Sequence, residues 1–540
     1  MLLAGCLALV GIGGLARFSS RSVLDDSYIV SRYADNVLAT GRLSWNPGAE
    51  PTYGLTGPLY LVVVAPLRAV ASDSPALALS LSSLLCGVAS ILLMIQMAKK
   101  SGGGGAVHHR ISIGLVLFSC ASSIETFASH LLSGMDTMFA IAYLTAYFLL
   151  LLRREARGGA AHDMMAGAWG ALAFLARPDL LIFTVSVPLL LWWLNVEAPA
   201  RSSARRLLAV TLGALALLVA FTTWYFDSAL PLPFRAKGLR FYGDFIYERY
   251  AGVALAQLRS FGTSYWFLFA LAGVNIVLGP RQWWRSTPPL EKGILAGTVA
   301  FLAYHATLVL PIMSDSQRFY YPTLPALVYL GNRGLFRLIK GGRGLSSWRW
   351  PARAVAACCA AIGLWGLVRA CASEWEGLRV LRAQGGFARF SLSETFARGE
   401  LVKVWPGLDI IAGLPDDLVI ATTEVGFPAA MNPGKRIVDL AGLNETGIVL
   451  GRFSPAELLR AILPDVIYLP HSDYREMNRA IRAEPDLLSR YQLSSGTAEP
   501  PSLDVAILRE SPHYASLRAI VAERGSDRGD HLQGRTRAAR

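Results

Sequence analysis

Apolar positions along the chain fall into long runs separated by short polar segments, with little of the alternation that marks a half-buried strand. A helix needs roughly 20 apolar residues to cross about 30 Å of hydrocarbon. On that length the runs predict about eleven transmembrane helices, at 2–17, 77–97, 111–129, 134–152, 164–177, 180–196, 207–226, 260–279, 291–311, 322–339 and 352–371, the first and fifth being short. GPLYLVVVAPLRAV, residues 57–70, is apolar too, but it is brief and closed by Pro66 and Arg68, so it reads as an interfacial helix. Past residue 371 the pattern changes. LVIATTE (418–424), RIVDLAGL (436–443), DVIYLP (465–470) and VAILR (505–509) read as buried strands, with helix-like SPAELLRAI and REMNRAIRA between them. The predicted architecture is a polytopic α-helical membrane region over 1–371, whose first external loop covers 18–76 and carries interfacial helices. An extracytoplasmic α/β domain over 372–525 and a disordered basic tail over 526–540 follow it. No internal repeat is visible, and GGGG at 102–105 is a turn between spans.

Composition agrees with the runs: 53% of the residues are hydrophobic, 16% charged, and the mean hydropathy is +0.40, too apolar for an ordinary soluble chain. A net charge of +13 would fit nucleic acid, but much of the Lys and Arg lies in short clusters between spans. These are Lys99–Arg110, Arg153–Arg157, Arg201–Arg206, Arg281–Arg285 and Arg337–Arg353. Short basic loops stay cytoplasmic, so the five clusters orient one topology and leave no nucleic-acid partner. The loop carrying Asp25 and Asp26, and the chain after 371, then face outside. Arg17 and Arg21 oppose this weakly; span 2–17 lacks a basic start and no A-x-A site follows it, which reads as a signal anchor with a clipped beginning. Five of the six cysteines sit inside apolar runs and Cys371 at the edge of one, without a disulfide framework or CxxC pattern. His130 and His305 stand alone near span ends, so no dedicated metal site is expected.

LDDSYIVSRYADN, residues 24–36, is the chemically loaded stretch. Periodicity predicts a helix ending near Gly41, and one aspartate serves to cap it. Adjacent helical positions point about 100° apart, which leaves the second carboxylate over. On the face of Asp25, positions i+3 and i+7 are Tyr28 and Arg32, lining up a carboxylate, a phenol and a cation.

The segment DDSYIVSRYADNVLATGRLSWNPGAEPTYGLTGPLYLVVVAPL resembles the first external loop of the GT-C membrane glycosyltransferases, especially the cell-wall arabinofuranosyltransferase-like branch. The acidic pair, Arg32, Tyr33, Ala34, Asn36, Gly41, Leu43, Asn46, Pro47, Gly48, Glu50, Gly54, Thr56, Pro58 and Leu59 match that pattern in order. SGMDT (133–137), LARPDLL (175–181), LPLPFRAKG (230–238), QRFYYPTLP (317–325) and IVDLAGLNE (437–445) resemble the same branch in the same sequence order. Two departures stand out: Asp136 where the family more often has Glu, and Leu232-Pro233 where relatives usually read PNTFxAK.

The resemblance implies transfer of a sugar from a polyprenyl-phosphate donor to a cell-envelope glycan, lipid or protein acceptor at the outer face of the lipid bilayer. A carboxylate, Asp25 or Asp26, would accept the proton of the acceptor hydroxyl. Cations would stabilise the departing lipid phosphate: Lys237 with Arg235 or Arg240, then Arg318, with Arg32 as a further candidate. Tyr28, Trp45, Tyr53 and Asp136 are candidate substrate contacts. No cofactor is implied, a weakly held divalent cation beside the acids aside. Each assignment has a plainer counterpart. Cations at span ends also anchor helices by snorkelling, aromatic residues at the interface form a belt, Arg177 can pair with Asp179 or Asp136, and Glu424 and Asp439 can simply end strands. A lipid transporter would carry intramembrane charges and repeated halves, which the sequence lacks; a non-catalytic assembly or motility factor with the same architecture stays open.

Overall fold

The computed structural model describes residues 23–102, 105–238, 252–278, 280–311, 315–341, 411–469, 474–493 and 503–521. The expected spans 2–17 and 352–371, the segment 372–410, Arg240 and the tail 526–540 lie outside the described residues.

The first external loop opens with α1 (Asp25–Thr40). Its N-cap is Leu24 and no side chain caps it, so neither aspartate plays the capping role its position suggests; both lie in the first turn, where the helix dipole favours negative charge. α1 ends at Gly41, whose φ of 72° suits a residue without Cβ. After a turn at Pro58–Tyr60 comes α2 (Leu61–Val70), which at about 15 Å is too short to cross a bilayer.

The helical region continues with α3 (Pro75–Gly102), α4 (Ala106–Ala121), α5 (Ile124–Leu132), α6 (Thr137–Arg157), α7 (Ala160–Ala176), α8 (Leu181–Leu194) and α9 (Ala198–Phe226). Next are α10 (Leu232–Gly238), α11 (Val253–Ser264), α12 (Trp266–Leu278), α13 (Pro280–Ser286), α14 (Pro289–Thr307) and α15 (Leu324–Gly341). Among the described residues three helices, α3, α6 and α9, are long and apolar enough to cross a membrane. α9 leaves Leu217, Phe221 and Trp224 exposed along its length, as a lipid-facing helix does. The chain is thus built for residence in a bilayer, but eleven crossings are more than the described helices account for. The run at 111–129 is a bent pair, α4 and α5, turned by 85°, which makes a fourth span if counted as one. The run at 260–279 breaks at Tyr265 between α11 and α12. Between α7 and α8 the chain turns at Arg177-Pro178-Asp179, where proline cannot continue the preceding helix. α3 packs on α6, α7 on α9, α8 on α14 and α12 on α15.

The C-terminal region holds a five-stranded sheet of β1 (Val419–Thr422), β2 (Arg436–Asp439), β3 (Val466–Leu469), β4 (Tyr491–Leu493) and β5 (Leu503–Leu508), in the order β2-β1-β3-β5-β4. β1 pairs in parallel with β2 and β3, whereas β5 runs antiparallel to β3 and β4. The four strands expected from apolar runs are all present, and β4 is an addition. Helices α16 (Gly426–Met431), α17 (Thr446–Val449), α18 (Pro455–Ile462), α19 (Arg475–Arg482) and α20 (Pro485–Ser489) connect them. α18 begins with a capping box between Ser454 and Glu457, so its start is written in SPAE.

Candidate active site

α1 divides its side chains between two neighbours. One face meets the sheet domain. The Asp25 carboxylate accepts hydrogen bonds from the backbone N–H groups of Gly426 (3.1 Å) and Phe427 (2.6 Å), and the Tyr28 ring meets Phe427 edge-on at 6.0 Å. One turn on, buried Arg32 donates to the carbonyls of Trp45, Ala429, Asn432 and Lys435 and to Asn46 Oδ1. Trp45 Nε1 donates to the Ile437 carbonyl, and Asn46 Oδ1 accepts from the Ile437 N–H. A Cβ at Gly426 would collide with the Asp25 carbonyl, so glycine lets the two backbones meet.

Asp25, Tyr28 and Arg32 therefore do share the face their spacing predicts, but that face holds protein. Tyr28 and Trp45 are buried in this contact, and Arg32 is engaged by main-chain oxygens, which leaves it no surface for a donor phosphate. Tyr53 is buried as well, stacked at 4.5 Å on Phe226, so its ring is closed to a sugar.

IVDLAGLNE completes the joint. Asp439 ends β2 and accepts from the N–H groups of Gly442 and Asn444 and from Asn444 Nδ2. Asn444 Oδ1 accepts from the Tyr33 hydroxyl, which itself accepts the Gly54 N–H. A Cβ at Gly54 would strike Asn444 Oδ1 and the Tyr33 hydroxyl. The motif thus ties the sheet domain to the first external loop, with Asp439 in a structural role.

The other face of α1 opens on a cleft. Asp26 lines it together with Asp136, Arg177, Asp179, Tyr304, His305 and Arg318; Gly54–Gly57, Phe234 and Leu443 add its walls. Arg318 Nη2 donates to Asp26 Oδ2 at 2.8 Å. Its Nε and Nη1 are buried and meet no hydrogen-bond acceptor among the described residues. Arg318 is presented by Ser316 and Gln317, both at positive φ (53° and 60°), a conformation that non-glycine residues hold only under constraint from their surroundings. His130 supplies one such constraint, its Nε2 lying 2.9 Å from the Ser316 carbonyl. Arg177 grips Asp179 through Nε (3.1 Å) and Nη2 (2.6 Å), while its Nη1 lies 3.9 Å from Asp136. His305 Nε2 reaches Asp179 Oδ2 at 3.0 Å. Burial alone would raise the Asp179 pKa, and Arg177 with His305 outweighs it, holding the carboxyl well below its ordinary range.

Five groups on separate elements thus converge: the α1 acid, the acid preceding α6, the α7–α8 turn, His305 near the end of α14 and the loop before α15. Asp26, Asp136 and Arg318, all singled out in the sequence, are brought together. Asp179, Tyr304, His305, Phe234 and Leu443 are added. Arg235 has no ion pair among the described residues and is not part of the cleft wall, the side chain of Lys237 lies outside what is described, and so does Arg240. No group of three or more His, Cys, Asp or Glu able to hold a metal ion occurs among the described residues.

The two aspartates differ in setting. Burial pushes Asp25 up to about 6, with its two N–H donors opposing that and the nearby Asp26 charge adding to it. A folded-state pKa above the unfolded one means that the folded chain binds the extra proton, so the contribution to stability is full below about 4 and is lost as pH rises through about 6. Relative to Asp25→Asn, the wild-type protein should therefore lose thermal stability between pH 4 and pH 6 and hold level above. A wild-type stability that rises relative to the variant across that interval would refute the assignment.

No protein-family model and no curated protein matches the chain. Among solved structures it is similar to ArnT from Cupriavidus metallidurans bound to undecaprenyl phosphate, at 13% identity over 94% of this chain and 96% of that one, with a TM-score of 0.49. The apo state of ArnT gives 12% identity over 94% and 97%, with a TM-score of 0.47. At identities and scores this low the likeness establishes neither a shared fold nor a shared activity.

Proposed function

We propose that this chain is a GT-C-type membrane glycosyltransferase that moves a sugar from a polyprenyl-phosphate donor to a cell-envelope glycan, lipid or protein acceptor at the extracytoplasmic face of the bacterial inner membrane. The observation that carries the reading is the Asp26–Arg318 pair at the cleft: a carboxylate on the cleft wall, held by a guanidinium whose Nε and Nη1 meet no acceptor among the described residues. The sequence resemblance of the surrounding loop to the arabinofuranosyltransferase-like branch supports the same chemistry.

In this reading the acceptor hydroxyl donates its proton to Asp26 as its oxygen attacks the anomeric carbon. The bond from that carbon to the phosphate oxygen breaks, and polyprenyl phosphate leaves with the bonding electrons. Arg318 has a double role: one N–H orients Asp26, and the Nε and Nη1 edge receives the phosphate whose charge grows as it departs. Arg177 is neutralised by Asp179 and acts as a brace, positioning Asp136 and His305 along the wall. Asp25 contributes by fixing α1 against the sheet domain, so that Asp26 points into the cleft.

The binding half of this proposal is tested by photocrosslinking with a polyprenyl phosphate bearing a photoreactive group next to the phosphate. Adducts are expected on peptides containing Thr56, Phe234 or Phe319, and Arg318→Gln should cut their yield about tenfold, the worth of one charge-assisted contact. Adducts that ignore Arg318→Gln, or that map away from the cleft, would refute it.

A further inference from the structure

The helix α6 has the cleft at one end, through Asp136, and a second cavity at the other. Its 21 residues span about 30 Å, one hydrocarbon thickness, so the two sites lie at opposite membrane surfaces. The second is an open cleft of about 480 Å³, lined by the exposed side chains of Lys100 from α3 and Arg153 and Arg157 from α6 and by half-buried Arg333 from α15, with Glu155 as its single carboxylate. Arg333 is accounted for: it bonds Glu291 at 3.1 Å and the Ser101 carbonyl. Lys100, Arg153 and Arg157 form no ion pair with any described residue. Arg154, between the latter two, is by contrast buried and bound to Asp163 and Ser203. The fold thus pairs the arginine it encloses and leaves three exposed cations bordering one space, where their shared positive charge favours an anion. Leu152, Pro288 and Tyr329 give the same cavity an apolar wall.

We propose that this cavity binds a phosphate-bearing anion, supplied as the headgroup of an anionic phospholipid from the leaflet opposite the cleft. Forked guanidinium groups match phosphate oxygens, a lysine adds a point charge, and the apolar wall suits the first methylenes of an acyl chain. The inference is independent of the transfer reaction and stands or falls separately.

The test is lipid retention by the purified full-length protein, measured by native mass spectrometry after equilibration with mixed phosphatidylglycerol and phosphatidylcholine micelles. Wild type should retain phosphatidylglycerol in preference, and the preference should weaken as salt rises. The triple variant K100Q/R153Q/R157Q should lower that preference by on the order of 100-fold, whereas R110Q/R201Q/R205Q, which removes equal charge from equally exposed positions that do not line the cavity, should leave it unchanged. If the triple variant fails to fold, R157Q at the exposed end of α6 should give a partial loss of the same kind. Equal retention by wild type and cavity variant, or equal loss in the control variant, overturns the site; displacement of the lipid by millimolar inorganic phosphate overturns the lipid as its source.

Discussion

Asp26→Asn is expected to lower sugar transfer from a polyprenyl-phosphate donor by about 10²- to 10⁴-fold, the range that a positioned general base contributes. Asparagine keeps the shape and still accepts a hydrogen bond from Arg318, but it cannot take the acceptor proton. The loss should therefore fall on kcat, while the KM for donor, governed by Arg318, moves little. Asp25→Asn is the informative partner. Its carboxylate lies against Gly426 and Phe427, away from the cleft, so it should cost far less rate and show its effect in the attachment of the sheet domain. The comparison also separates the enzyme from a non-catalytic factor of the same build, which would keep its partners and phenotype after Asp26→Asn. Equal rate losses in the two variants, or none in either, would contradict the division of labour proposed for the acidic pair.

The second large effect is on stability. Arg32 is buried, and burial pulls its pKa down to about 10, so it remains a cation at neutral pH. Its five acceptors come from two segments, around 45 and around 432, that are nearly 400 residues apart in sequence. Its guanidinium also lies 5.0 Å from the centre of the Trp45 ring. Arg32→Leu removes all of these bonds and leaves carbonyl oxygens facing an apolar side chain, at a cost of about 3 kcal/mol or more, given about 1.5 to 3 kcal/mol for a bond to a charged group. Expected results are a clear drop in the thermal midpoint and faster proteolysis within 411–521. Arg32→Lys should recover only part of the loss, because an ammonium cannot reproduce the planar fork. A variant Arg32→Leu with wild-type midpoint and protease resistance would show that the sheet domain is held elsewhere.

What the sequence disclosed, and what it hid, follows from the range of each interaction. Helix and strand positions were legible because apolar runs and their periodicity are local, and so was the notice given by two adjacent acids on one helix. The Tyr28 and Arg32 face was read correctly as a face, but periodicity says which side chains align and never what they meet; the partner, α16, begins about 400 residues later. The same distance hid the role of IVDLAGLNE, which becomes clear only when Asn444 is seen between Asp439 and Tyr33. Arg177 was legible as a partner of Asp179 or Asp136, and it contacts both. His305 gave no motif because its partner Asp179 lies 126 positions away. The break at Tyr265 and the 85° bend after Ala121 fall inside runs apolar enough to look continuous. β4 is three residues with one apolar side chain fully enclosed, too little pattern to mark a strand.

The account depends most on Asp26 and Arg318 serving a lipid-linked sugar, and the most direct measurement is release of polyprenyl phosphate by the purified protein in proteoliposomes. The vesicles would be supplied with polyprenyl-phosphate pentoses and hexoses and an extract of envelope glycans and lipids. The account predicts that wild type releases polyprenyl phosphate from at least one donor in step with sugar appearing on an acceptor, and that Asp26→Asn stays at background. Folded wild-type protein that leaves every donor intact, or an Asp26→Asn variant that releases polyprenyl phosphate at the wild-type rate, would contradict it.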